Sequence, residues 1–281
     1  MIVYLNGEFL PLSEARVPVL DRGFIFGDGV YEVIPVYAGR LFRLEEHLQR
    51  LENSLKCIKL DNPLTRQQWI ERLETLVVRN KGGDQSIYLQ VTRGPAKRNH
   101  NFPERVVPTV FMMSEPASTL PPSNGVKAIT RIDTRWQRCD IKSIALLANV
   151  LLRQEAVEVG AAEAILIREG YAMEGAASNV FIVADGVAIT PPKSQFILPG
   201  ITRDLIVEAM QAAQLPYREA DISETQLRSA DEIWITSSIR EIVPVITLDD
   251  KRVGTGQPGA VWSQVWQIYQ DYKQKLRSNV S

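Results

Sequence analysis

Two short apolar runs, residues 2–5 and 30–36, have the length and composition of strands. Between them the stretch Asp21-Arg22-Gly23-Phe24-Ile25-Phe26-Gly27-Asp28-Gly29 reads as a structured, turn-rich loop. Leu44, Leu48, Leu51 and Leu55 then recur at helical spacing, which predicts a helix with Arg50 projecting from the flank of its apolar stripe. A second helix is predicted over 67–78, stopped by Lys81-Gly82-Gly83-Asp84, and strands follow over 86–92 and 107–113. The segment 114–125 is dense in proline, serine and glycine, so it is expected to link two domains, 1–119 and 120–281. Beyond it the pattern predicts a strand over 126–132, the polar stretch 135–140 and a helix from Ser143 or Ile144 to about 159. Strands over 164–168 and 179–183 flank the segment with Glu174, and a short strand ends near Thr190. A helix with Thr202 as its N-cap runs to about 214, a strand spans 232–236, and a last helix covers 260–276. Mixed helices and strands in both halves make this an α/β chain, with a cleft between two domains as the expected place for a ligand.

Composition removes several function classes. A hydrophobic share of 45% against 23% charged residues is that of a folded globular protein. A net charge of −1 with no long basic run lacks the electrostatic footprint of a nucleic-acid binder. No stretch approaches a membrane span and the first residues do not form a signal segment, so the cytoplasm is the expected location. Cys57 and Cys139 lack Cys-x-x-Cys spacing, and His47 and His100 are the only histidines, which leaves little for a metal site; none is expected. Gly254-Thr255-Gly256-Gln257-Pro258-Gly259 matches the dinucleotide-binding glycine pattern literally. Proline sits inside the turn and no strand-helix-strand unit follows, so it reads as a surface turn. No Walker segment occurs.

Lys142 stands out by its neighbours. In Asp140-Ile141-Lys142-Ser143-Ile144-Ala145-Leu146-Leu147-Ala148-Asn149-Val150 an amine lies among apolar residues, a setting that lowers an amine's pKa and favours imine chemistry. That block, then Met173-Glu174-Gly175-Ala176-Ala177-Ser178-Asn179-Val180-Phe181, then Leu198-Pro199-Gly200-Ile201-Thr202-Arg203, strongly resembles the class IV aminotransferases. Asp21-Arg22-Gly23 through Gly27-Asp28-Gly29-Val30-Tyr31-Glu32 and the Glu46-His47-Leu48-Gln49-Arg50-Leu51 helix extend the resemblance over essentially the whole chain. These are fold-type IV enzymes using pyridoxal 5'-phosphate, and they include D-amino acid and branched-chain aminotransferases and aminodeoxychorismate lyase.

The resemblance implies a role for each residue it covers. Lys142 is the Schiff-base lysine, which must hold the cofactor, leave it, and move a proton during transamination. Glu174 pairs with the pyridine nitrogen, and Arg50 clasps the phosphate, helped by Ile201 and Thr202 at a helix start and by Ser237 and Ser238. Leu198 lies against the ring face. Arg98-x-His100 with Tyr31 resembles the carboxylate trap of the D-amino acid branch, with D-alanine and 2-oxoglutarate giving pyruvate and D-glutamate by a ping-pong route. The alternatives fit less well: the branched-chain L-amino acid aminotransferases usually have Gly-Glu-Asn where this chain has Ala177-Ser178-Asn179, and the lyases Asn-Arg where it has Ala145-Leu146. Ala176 and Ala177 depart from the serines common in the D-specific pattern, and Arg240 is a second candidate contact for acidic substrates. Partners implied are small amino acids, 2-oxo acids and a second copy of the chain, in a homodimer whose partner subunit reaches into the site.

Overall fold

The computed structural model of the chain describes residues 1–117 and 124–278. The described residues of Met1–Ser118, together with Ile141–Leu146 and the chain end from Leu276, form one compact unit; those of Thr119–Asp140 and Leu147–Lys275 form the other. The expected boundary near 120 lies outside the described residues, and the first residues of the expected linker are strand, not linker. Lys142 belongs to the unit built from the N-terminal residues, whereas the sequence pattern puts it with the residues after 120.

The first unit holds strands β1 (Ile2–Leu5), β2 (Glu8–Pro11), β3 (Gly29–Tyr37), β4 (Arg40–Leu41), β5 (Gln85–Thr92) and β6 (Thr109–Pro116), and helices α1 (Arg22–Phe26), α2 (Leu44–Cys57) and α3 (Arg66–Arg79). The strands form a six-stranded sheet in the order β2-β1-β6-β5-β3-β4. Leu48, Leu51 and Leu55 of the predicted stripe are buried with Ile34, Ile87, Leu89, Trp69 and Leu73 in a core that joins α2 and α3 to the sheet. Thr65 caps α3 with Gln68 returning the bond, which sets the start of that helix at Arg66.

Strand alternation and pairing place the key positions. Antiparallel pairing of β3 with β5 runs from Gly29↔Thr92 to Val36↔Gln85, so Tyr31 and Glu32, adjacent in sequence, face opposite sides of the sheet. On its other edge β3 pairs with β4 only at Val36 and Tyr37. The free edge near Gly29 is taken by the lysine segment: Tyr31 N donates to Lys142 O at 3.0 Å, Ile144 N to Gly29 O at 3.1 Å, and Val30 bridges Ser143. The predicted helix after Ser143 therefore starts later, at Leu147, because residues 142–144 give their backbone to the sheet edge.

The second unit contains β7 (Val126–Ile132), β8 (Glu163–Arg168), β9 (Tyr171–Gly175), β10 (Asn179–Ala184), β11 (Val187–Thr190), β12 (Tyr217–Glu219), β13 (Ile222–Ser223), β14 (Glu232–Ser237), β15 (Glu241–Leu248) and β16 (Lys251–Arg252). Its helices are α4 (Leu147–Glu158), α5 (Ile201–Ala212), α6 (Glu224–Arg228) and most of α7 (Ala260–Ser278). The main path of the sheet is β12-β11-β10-β14-β15-β7-β8-β9-β13, mostly antiparallel, with β7 parallel to both neighbours. Glu174 thus lies within a strand, β9, that the sequence pattern did not predict. Among the described residues no helix is long and apolar enough to cross a membrane.

Candidate active site

In the first unit the Lys142 side chain is half-buried, and its Nζ sits 4.1 Å from the centroid of the Tyr31 ring. Tyr31 in turn stacks on Tyr88 at 5.7 Å, and burial pushes the Tyr88 phenol up to about 12. Lys142 N also donates to the buried Ser54 Oγ of α2 at 3.3 Å. The amine is thus held by backbone bonds on both sides of its residue and laid against an aromatic face.

On the opposite face of β3, Glu32 is fully buried and accepts from Arg50 Nε (2.8 Å) and Nη2 (2.7 Å), and it pairs with His47 Nδ1 at 2.7 Å. Burial works to raise this carboxyl, but the charge and paired bonds of Arg50, with His47, outweigh it and bring it down to about 2. Burial lowers His47. Arg50, expected on a helix flank, is buried and oriented from beneath by this carboxylate.

Arg98 and His100 lie on the exposed loop between β5 and β6. They gather on Phe26, with the Arg98 guanidinium 5.5 Å and the His100 ring 5.4 Å from its centroid. The predicted trap residues thus form two groupings, Tyr31 with Lys142, and Arg98 with His100.

The second unit builds its site around Glu174. Arg135 Nη1 donates to Glu174 Oε1 at 2.5 Å, while Oε2 accepts from Asn179 Nδ2 (3.1 Å) and Leu198 N (3.0 Å). Burial raises the Glu174 carboxyl to about 7 in spite of Arg135. The reason is that Arg135 spends Nε and Nη2 on Asp133, whose own negative charge also opposes ionisation of Glu174.

Leu198 O accepts from Asn179 Nδ2 at 2.9 Å, so Asn179 ties β10 to the turn that enters α5. The helix N-cap is Gly200, not Thr202 as predicted, and no side chain caps it. A Cβ at Gly200 would stand 1.9 Å from Asn179 Oδ1, so the turn must carry glycine here. Ile201 and Thr202 fall in the first turn and are buried. Ser237 ends β14 and Ser238 follows it; Ser237 Oγ accepts from Arg240 N at 3.3 Å. Arg240 directs Nη1 to Ala162 O (3.2 Å) and Glu163 Oε2 (3.4 Å).

Three features of this unit fit an anionic, nitrogen-containing ring such as pyridoxal 5'-phosphate. The first-turn amides of α5 are uncapped, a setting that favours a phosphate. Among the described residues the buried Thr236 Oγ1 has no hydrogen-bond partner, and Thr236 pairs across the ladder with Asn179, which puts both side chains on one sheet face. Glu174 has only part of a counter-charge, so a protonated ring nitrogen would complete its balance. Asn179 enters the sequence reading only as part of the 173–181 block, and Arg135 and Thr236 are not singled out at all. Their position on the polar side of predicted elements is the only signal, and many other polar residues share it.

Residues 29–248 match the model of the family described as Amino-transferase class IV. The chain is 42% identical over 275 residues to a D-alanine aminotransferase of Staphylococcus epidermidis, covering 97% of this chain and 98% of that protein. Among solved structures, a branched-chain aminotransferase from the archaeon Thermoproteus uzoniensis with norvaline has a TM-score of 0.91 at 28% identity, covering 99% of this chain and 96% of that one. A second branched-chain aminotransferase, that of Escherichia coli, has a TM-score of 0.89 at 29% identity, covering 96% and 93%. A third is complexed with N-(5'-phosphopyridoxyl)-L-glutamate and gives a TM-score of 0.90 at 27% identity, covering 99% and 95%. The chain therefore belongs to the class IV aminotransferases, enzymes that depend on pyridoxal 5'-phosphate.

Proposed function

We infer that the protein transfers the amino group of small D-amino acids to 2-oxo acids, with D-alanine and 2-oxoglutarate giving pyruvate and D-glutamate by a ping-pong route. The 42% identity to a D-alanine aminotransferase over nearly both full lengths supports this branch above the branched-chain one, whose solved members named above are 27–29% identical. The observation that carries the chemistry is the Lys142 amine, pinned by its backbone to β3 and sheltered against Tyr31.

In this reading Lys142 would hold the cofactor through its Nζ, and the freed amine would carry the proton removed from the substrate Cα. When bound, the cofactor supplies a sink for the electrons left at that carbon. Glu174 keeps the ring nitrogen protonated, and Leu198 packs on the ring face. Arg50, Ile201, Thr202, Ser237 and Ser238 hold the phosphate, Arg50 as a guanidinium already oriented by Glu32. Tyr31, Arg98 and His100 take the substrate α-carboxylate and thereby choose which face of Cα meets Lys142. The enzyme works in the cytoplasm as a homodimer in which the partner subunit contributes to the site. Exposed Leu147, Val150, Leu151 and Val157 on α4, an apolar face suited to a second copy, support the dimer.

Lys142→Ala tests the reading. It is expected to lose the visible absorbance of the bound cofactor and nearly all turnover, and a yellow, fully active variant refutes it. Following that absorbance in single half-reactions with D-alanine, L-leucine and L-glutamate tests the branch; faster bleaching by L-leucine than by D-alanine transfers the protein to the branched-chain enzymes.

A further inference from the structure

Side chains that must meet a ligand cannot also be buried to hold their own loop in place, so the order of such a loop has to come from elsewhere. Arg98 and His100 are exposed, and residues 97–102 belong to no helix or strand. The backbone around them is nevertheless held. Arg22, 4% exposed, sends Nη1 to the carbonyl oxygens of Asn99 (2.6 Å) and Asn101 (3.3 Å), the two residues that flank His100. Its guanidinium also lies 4.8 Å from the centroid of Phe26, the ring on which Arg98 and His100 gather. Arg22 therefore holds the loop both through its carbonyls and through its aromatic seat.

Arg22 is itself held by charge. Its Nε donates to Asp28 Oδ2 at 2.8 Å. The same carboxylate accepts from Arg93 Nε (2.8 Å) and Nη2 (3.0 Å). Arg93, 2% exposed, caps the carbonyls of Ile58 and Lys59 and stacks on Phe102 at 3.8 Å, just beyond Asn101. The near end of the loop is fixed too: Gly94 has φ +82°, and a Cβ there would meet the Val107 carbonyl at 1.9 Å, so the strand ends cross where only glycine fits. Two buried guanidiniums on one carboxylate, each gripping a different part of the loop, make a rigid template under two exposed, charged side chains.

We propose that Arg22, braced by Asp28 and Arg93, is a positioning residue that shapes the 98–101 loop and so sets the affinity and stereochemical preference for the substrate carboxylate. The inference rests on the reading of Arg98 and His100 as carboxylate contacts.

Steady-state kinetics on the holoenzyme with D-alanine and 2-oxoglutarate test it. Arg22→Lys keeps the charge but cannot span Asp28 and both carbonyls with one planar fork. It is expected to raise both KM values about tenfold or more, to leave kcat within about threefold, and to lower the preference for D- over L-alanine, with unchanged cofactor absorbance. Arg98→Ala should raise KM in the same direction, and the double variant Arg22→Lys/Arg98→Ala should raise it by less than the product of the two single effects, since Arg22 acts through that loop. Trypsin should cut after Lys97 or Arg98 faster in Arg22→Lys than in the wild type. If Arg98→Ala raises KM but Arg22→Lys leaves it unchanged, the clamp is overturned and the carboxylate trap stands. If neither Arg98→Ala nor His100→Ala moves KM, the trap reading fails and takes the clamp with it. Should Arg22→Lys not fold, Phe26→Leu removes the seat of Arg98 and His100 while leaving the Arg22–Asp28–Arg93 hydrogen bonds in place; a raised KM is expected, and an unchanged one overturns the inference.

Discussion

Glu32 and Glu174 are both buried carboxylates bonded to an arginine, one in each compact unit, yet burial loses at the first and wins at the second. Arg50 gives Glu32 two parallel bonds and has His47 beside it, and the carboxyl falls to about 2. Arg135 gives Glu174 one bond and shares the rest of its fork between Asp133 and the Phe196 carbonyl, and burial raises the carboxyl to about 7. An arginine neighbour does not by itself settle a carboxyl's charge; burial weighs against it, and a second anion on the guanidinium adds to that weight. A fully neutralised carboxylate suits a structural brace that holds Arg50 in place. A partly neutralised one suits a ring nitrogen that arrives with a proton of its own.

Removing the brace should have the largest effect. Glu32→Gln leaves a buried guanidinium without its counter-charge and should destabilise the protein by about 3–5 kcal/mol, read from urea unfolding of the cofactor-free form. On the proposed pairing of Glu174 with the ring nitrogen, Glu174→Gln should fold well but lose about 10²–10³-fold in kcat, measured at saturating cofactor.

The two carboxyls should also leave opposite marks on the pH dependence of stability. Glu32 has a folded value of about 2 against the usual 4.5, so its contribution is present above pH 4.5 and is lost as pH falls toward 2. Glu174 has a folded value of about 7 against 4.5, so its contribution is present below pH 4.5 and is lost as pH rises to 7. Each slope is about 1.4 kcal/mol per pH unit at most, and each should disappear only in the matching Gln variant. The smallest effect isolates the cause: Asp133→Asn frees Arg135 for Glu174 and should lower the Glu174 pKa, seen by carboxyl carbon NMR titration, and an unchanged value would count against shared neutralisation.

Much of the fold is legible in the chain. Helical spacing of leucines predicts α2, and apolar runs predict β1, β3 and β5, because those patterns are set by residues a few positions apart. The family is equally readable in the Lys142, Glu174 and Leu198–Arg203 blocks, since each is a short ordered motif. The start of α4 and the N-cap of α5 are misplaced by the pattern. Apolar residues after Ser143 look helical, and only the open edge of β3 draws their backbone away. Thr202 is a good cap by type, but the chain turns two residues earlier, where Asn179 leaves room for glycine alone.

The family, and with it the cofactor and the class of reaction, was written in consecutive residues, where side-chain identity and short ordered motifs suffice. That Lys142 joins the N-terminal unit, that Arg135 divides its charge between Asp133 and Glu174, and that Arg22 grips a loop 77 residues away came from the folded arrangement alone. Those outcomes are balances of charge, burial and edge pairing among residues distant in the chain, and such balances exist only once the backbone has brought the groups together.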